Sequence, residues 1–143
     1  MMTRTPWHLW AVGLLSLLWN AGGAADYVMV QYDVAAYTDQ LTDPQRGFFD
    51  ALPAWYVAAW ATGVWLSVVG SLLLLLRSRW AGTAFSVSLA GLLVASVYTF
   101  LVLDSSPMRD AGPLALAFTA AIYVVLVLLI LYARAMRRRG VLT

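Results

Sequence analysis

Four long apolar runs, separated by segments of alternating charge, limit what this chain can fold into. The runs lie at 8–30, 54–76, 81–103 and 113–133. A helix needs about 20 such residues to cross roughly 30 Å of hydrocarbon, so each run is long enough to be a membrane span. The segments before, between and after them divide by sign. Arg4, then Arg77 and Arg79, then Arg134, Arg137, Arg138 and Arg139 fall on one side, where they also serve as lipid anchors. All seven acidic residues, Asp26, Asp33, Asp39, Asp43, Asp50, Asp104 and Asp110, fall on the other with Arg46 and Arg109. Positive charge stays on the cytoplasmic side, so the pattern predicts an all-α, four-transmembrane-helix bundle over 1–143 with both termini inside.

Composition agrees. The chain is 62% hydrophobic and 11% charged, too apolar for a soluble surface and too short for a separate soluble domain. It has no Lys, Glu or Cys, which excludes disulfides and thiolate metal sites. Using Arg alone for positive charge, with much Ala, points to a GC-rich bacterial genome. The basic residues gather at membrane edges, where anionic lipid explains them, and no nucleic-acid partner is expected. A second reading of the N-terminus exists: Arg4, the apolar Leu9–Trp19 and the small residues Ala21–Ala25 resemble a cleaved signal peptide. The apolar run resumes at Tyr27–Val30, which favours an uncleaved span.

Small residues recur at helical spacing and predict close packing between spans. The first span carries Gly13, Ser16, Asn20 and Gly23. The second carries Ala59, Gly63, Ser67 and Ser71. The third carries Thr83, Val87, Gly91, Ala95 and Thr99. The 31–53 segment is the one long loop, and Thr42-Asp43-Pro44-Gln45 within it reads as a capped helix start. The short helix that follows would lie in the outer interface with Phe48, Phe49 and Leu52 inward and Gln45, Arg46 and Asp50 toward water.

Catalytic chemistry is hard to find. No ionisable side chain falls mid-span, which argues against a proton-coupled pump of the small multidrug resistance kind. His8 is the single histidine, too few for a metal or haem site and with no serine partner at its depth. No catalytic residue, cofactor or metal is expected. Trp19, Asn20 and Trp65 are less ordinary. They sit near mid-depth, whereas membrane tryptophans prefer the interfaces, and an amide between indoles suits a small neutral solute.

Several segments carry a resemblance. Trp7-His8-Leu9-Trp10, Leu18-Trp19-Asn20-Ala21, Asp26-Tyr27-Val28-Met29, Phe48-Phe49 through Pro53-Ala54-Trp55, Trp60-Ala61-Thr62-Gly63-Val64-Trp65, Gly70 through Arg77 and Phe85 through Gly91 are similar to a family of small four-span proteobacterial inner-membrane proteins. Its members are often labelled sugar transporters. The resemblance implies a four-span fold, and semi-SWEET sugar carriers likewise pair tryptophan with asparagine. Two functions follow as expectations. The first is a non-enzymatic accessory or self-associating subunit whose partners are lipids and another membrane protein or itself. The alternative is a facilitative carrier of a small neutral solute such as a sugar.

Overall fold

The computed structural model describes residues 4–103 and 109–143. Among these, every regular element is helical: α1 (Trp7–Gln31), α2 (Ala35–Thr38), α3 (Asp43–Asp50), α4 (Ala54–Leu75), α5 (Ala81–Leu101) and α6 (Pro113–Arg138). Asp104 and most of the turn around it lie outside the described residues. Three helices, α4, α5 and α6, are long and apolar enough to cross a membrane. α1 matches them in length at 25 residues. It is less apolar, because His8, Ser16, Asn20 and Asp26 interrupt its leucines.

Helix ends follow local chemistry. α3 opens as expected, with Gln45 N–H donating to the Thr42 hydroxyl (3.4 Å) and Thr42 N–H to the Gln45 side chain (2.9 Å). Pro44 sits in its first turn, where no helical hydrogen bond is lost. α6 runs past Ala133 to Arg138, since arginine is a good helix former and favoured near the negative end of the helix dipole. Both α4 and α6 stop in a left-handed residue, Arg77 (φ 58°) and Gly140 (φ 70°). Ser78 N–H then reaches back to Leu73 O (2.8 Å) and Val141 N–H to Met136 O (3.0 Å), the six-to-one closure that satisfies terminal carbonyls.

Packing runs in chain order: α1 on α4, α4 on α5 and α5 on α6. The small residues are what allow it. A Cβ on Gly63 would lie 2.4 Å from the Leu92 side chain, and one on Gly91 only 2.8 Å from the Ala59 carbonyl oxygen. Gly13 is filled by Leu75 in the same way. Ala95 is buried, and Ser67 and Ser71 are buried between α1 and α4. Two details differ from the expected stripes. A methyl added at Gly23 would meet nothing within 4 Å, and Ala24 takes its place in the buried face. On α5 the expected stripe holds only from Gly91 onward. Thr83 and Val87 are exposed, and Ala84, Phe85 and Ser88 carry the contact instead.

The apolar core sits at one end, called the base here. Leu9, Leu74, Ala81, Phe85, Leu126, Leu129, Ile130, Ala133 and Met136 form it, with Val141 and Leu142 folded beneath. The tail is tied to the α4–α5 turn by Thr143 N–H to Arg77 O (2.8 Å) and Arg79 N–H to Thr143 O (3.1 Å). Arg77 Nε also donates to Val141 O (3.3 Å), while Arg79 lies over the Trp80 ring. Arg134, Arg137, Arg138 and Arg139 are exposed around the same end.

Two glycines separate packing from open space. Gly91→Ala forces a methyl against α4 backbone, costing about 1–3 kcal/mol by overpacking against a helix-propensity gain of about 1 kcal/mol. The variant is expected to unfold at lower temperature in detergent, and Gly23→Ala at the same or higher temperature.

Candidate functional site

Away from the base the helices separate. A cavity of about 760 Å³ opens among α1, α4, α5 and α6, with α2 and α3 contributing Tyr37, Phe48 and Phe49 to its wall. The base is sealed between α1 and α6 by His8 Nδ1 and the Tyr132 hydroxyl, 2.6 Å apart. Farther up, the same two helices meet through Trp19 and Phe118, whose ring centres are 5.4 Å apart. The cavity exists because Gly22 and Gly23 leave α1 bare there; a Cβ on either would find nothing within 4 Å.

Asn20 faces two ways. Its Nδ2 donates to Ser67 O (3.1 Å) and Ser71 Oγ (2.9 Å). A carbonyl can only accept, so the amide nitrogen must be the side turned to α4. Ser16 extends this contact to Ser71 Oγ at 3.0 Å. Asn20 Oδ1 accepts no hydrogen bond among the described residues. Since no buried side-chain polar atom there lacks a partner, Oδ1 keeps accessible surface, and Asn20 belongs to the cavity wall.

Most other polar groups in the wall already bond to one another. Tyr56 and Thr99 hydroxyls lie 2.8 Å apart. Tyr123 donates to Leu92 O at 3.0 Å, so the Ser96 hydroxyl is the donor in the Ser96–Tyr123 pair. Thr119 donates to its own helix at Ala115 O (3.0 Å). At the open end Tyr37 donates to Asp26 Oδ1. Burial pushes the Tyr37 phenol up to about 12, helped by that hydrogen bond and by the negative charge on Asp26.

α3 closes over this end as an aromatic roof. Phe48 is buried, and Phe49 stacks on Trp60 with ring centres 6.1 Å apart and planes 19° from parallel. Trp60 also meets Tyr27 edge-on at 4.9 Å. Arg46 turns back rather than outward: its guanidinium donates to Thr38 O (2.6 Å) and lies 3.7 Å from Asp39.

The three residues grouped from the sequence divide. Trp19 and Asn20 line the cavity; Trp65 does not. It is 44% exposed, in a shallow depression with Ala21, Ala24, Ala25, Val28, Met29 and Val68. The reason is helical phase. Tyr56, Trp60, Val64 and Ser67 share the cavity face of α4, and Trp65, one residue beyond Val64, points about 100° away. Trp60, Asp26, Phe118 and Tyr123 were missed as wall residues. The i, i+4 spacing of Tyr56, Trp60 and Val64 was the available signal for the first of them.

Asn20→Ala removes both bonds to α4 and is expected to destabilise the fold by about 1 kcal/mol, measured by thermal unfolding in detergent. Tyr37 keeps its proton in the folded state, so its contribution is full below the ordinary tyrosine pKa of about 10 and is lost as pH rises through about 12. An absorbance titration should lose a tyrosine ionisation near 12 in Tyr37→Phe.

Compared with family models, with curated proteins and with solved structures, the chain matches none.

Proposed function

We propose that the chain is a non-enzymatic protein of a bacterial inner membrane, crossing it four times, and that it binds a small amphipathic organic molecule in the α1–α6 cavity for facilitative carriage. The observation that carries this reading is the cavity itself. At about 760 Å³ it falls within the range of small-molecule sites, about 300–1,000 Å³, and it has their makeup of aromatic faces with a few polar groups.

The charge pattern supports the topology. Arginines surround the base, while Asp33, Asp39, Asp43 and Asp50 lie in or beside α2 and α3, so by the positive-inside rule the cavity faces outward with α3 toward the outer interface. α1 is then the first span, its polar Ser16 and Asn20 satisfied against α4 instead of by lipid.

The alternative of a docking subunit drew on surplus small-residue stripes. Gly13, Gly63, Gly91, Ser67 and Ser71 are all occupied by contacts within the chain, so these positions give little support to a partner. A polyol ligand is supported less than an amphipathic one, because the wall hydroxyls are largely paired with each other.

Two measurements test this. The chain has no cysteine, so single-cysteine variants report topology directly. With four spans, a membrane-impermeant maleimide labels Gln40→Cys in intact cells but Thr5→Cys and Ser78→Cys only after lysis. Equal labelling of Thr5→Cys and Gln40→Cys in intact cells overturns α1 as a span. Gly23→Leu grows a bulky side chain from the cavity wall at a position where a Cβ meets nothing within 4 Å. It is expected to fold normally and to lose ligand-induced thermal stabilisation across a panel of amphipathic solutes.

A further inference from the structure

Charge inside the cavity narrows what it holds. Asp26 is the one carboxylate in its wall, and no arginine or histidine contributes to that wall among the described residues. Tyr37 supplies one hydrogen bond to Asp26, but a carboxylate can accept about four. No cation pairs with it among the described residues: Arg46, the nearest in sequence beyond it, is held by Thr38 and Asp39 instead. The same cavity wall carries the rings of Trp19, Phe49, Trp60 and Phe118.

These features select a ligand by sign. A half-buried negative charge without a counter-ion is unfavourable, and a ligand that brings one is favoured by the same low dielectric. Aromatic faces attract cations through the ring quadrupole, and apolar bodies by burial. An anion would meet Asp26 at like sign. We infer that the cavity takes an organic ammonium group, with the ammonium head against Asp26 and an apolar or aromatic body between Trp19, Trp60, Phe49 and Phe118. This rests on the cavity being a binding site. Two sources supply the head group: a free amphipathic ammonium compound, or the ammonium of a lipid headgroup.

The test uses the full chain in maltoside micelles, which carry no ammonium. Phenyltrimethylammonium is compared by calorimetry with tert-butylbenzene, its neutral isostere. The wild-type protein should bind the cation at least about tenfold more tightly, and Asp26→Asn should abolish that preference while Asp26→Glu retains it. Equal binding of the two probes to wild type overturns the cation and leaves the cavity reading standing. Binding of neither overturns both. The wild-type comparison decides the point even if Asp26→Asn fails to fold. Adding phosphatidylethanolamine separates the sources: competition with the bound cation identifies a lipid headgroup, and its absence a free compound.

Discussion

The close approach of α4 to its two neighbours is the constraint on which the other features depend. Where no side chain intervenes, at Gly63 and Gly91, the α4 and α5 backbones come near contact. On the other face α1 seats Gly13 against Leu75 and joins Ser67 and Ser71 through Asn20. In lipid, apolar surface alone does not drive helices together, because acyl chains are as apolar as leucine. Dispersion contacts between close backbones and a few satisfied hydrogen bonds must do it. α4 can be central because its two packing faces are built from small residues.

α6 has no such face. It is rich in Val, Leu and Ile and joins α5 and the base through bulky side chains such as Leu126, Leu129 and Met136. Large residues at the base fill the space between α1 and α6; higher up, Gly22 and Gly23 leave it open. The cavity is therefore the consequence of a helix packed closely at the base and bridged to α1 above it by the Trp19 and Phe118 rings. α3 and its aromatic stack on Trp60 then lie across the opening.

Polar groups in the wall follow one rule. Those that bond to another helix, such as Tyr56 with Thr99 or Ser96 with Tyr123, contribute to architecture. Asn20 Oδ1 and Asp26 keep spare accepting capacity in the cavity wall. Two open acceptors and several ring faces in one wall are the chemistry on which the proposal of a cationic ligand rests. A sugar, with many hydroxyls to satisfy, would find few partners.

Much of the fold was legible in the chain because its signals are local. Run length set the four long helices to within a few residues, and Thr42, Pro44 and Gln45 set the start of α3. Small-residue spacing marked Gly63, Ser67, Ser71 and Gly91 as contacts. The site was legible only in part. Trp19 and Asn20 stand out because mid-depth tryptophan and amide are unusual in themselves, and both line the cavity. Trp65 shared that oddity yet faces away, and Gly23 lines the cavity instead of a helix contact. Depth along a helix is a property of sequence position, but direction around it has meaning only once a neighbour is in place. So the residues by themselves determined which segments are helices, how long they are and which faces accept a close partner. Only the tertiary structure decided that α1 and α6 part above the base, and thus that Asp26, Trp60 and Phe118 share one cavity. That gap depends on side chains from four helices meeting or failing to meet, which no single stretch of sequence encodes.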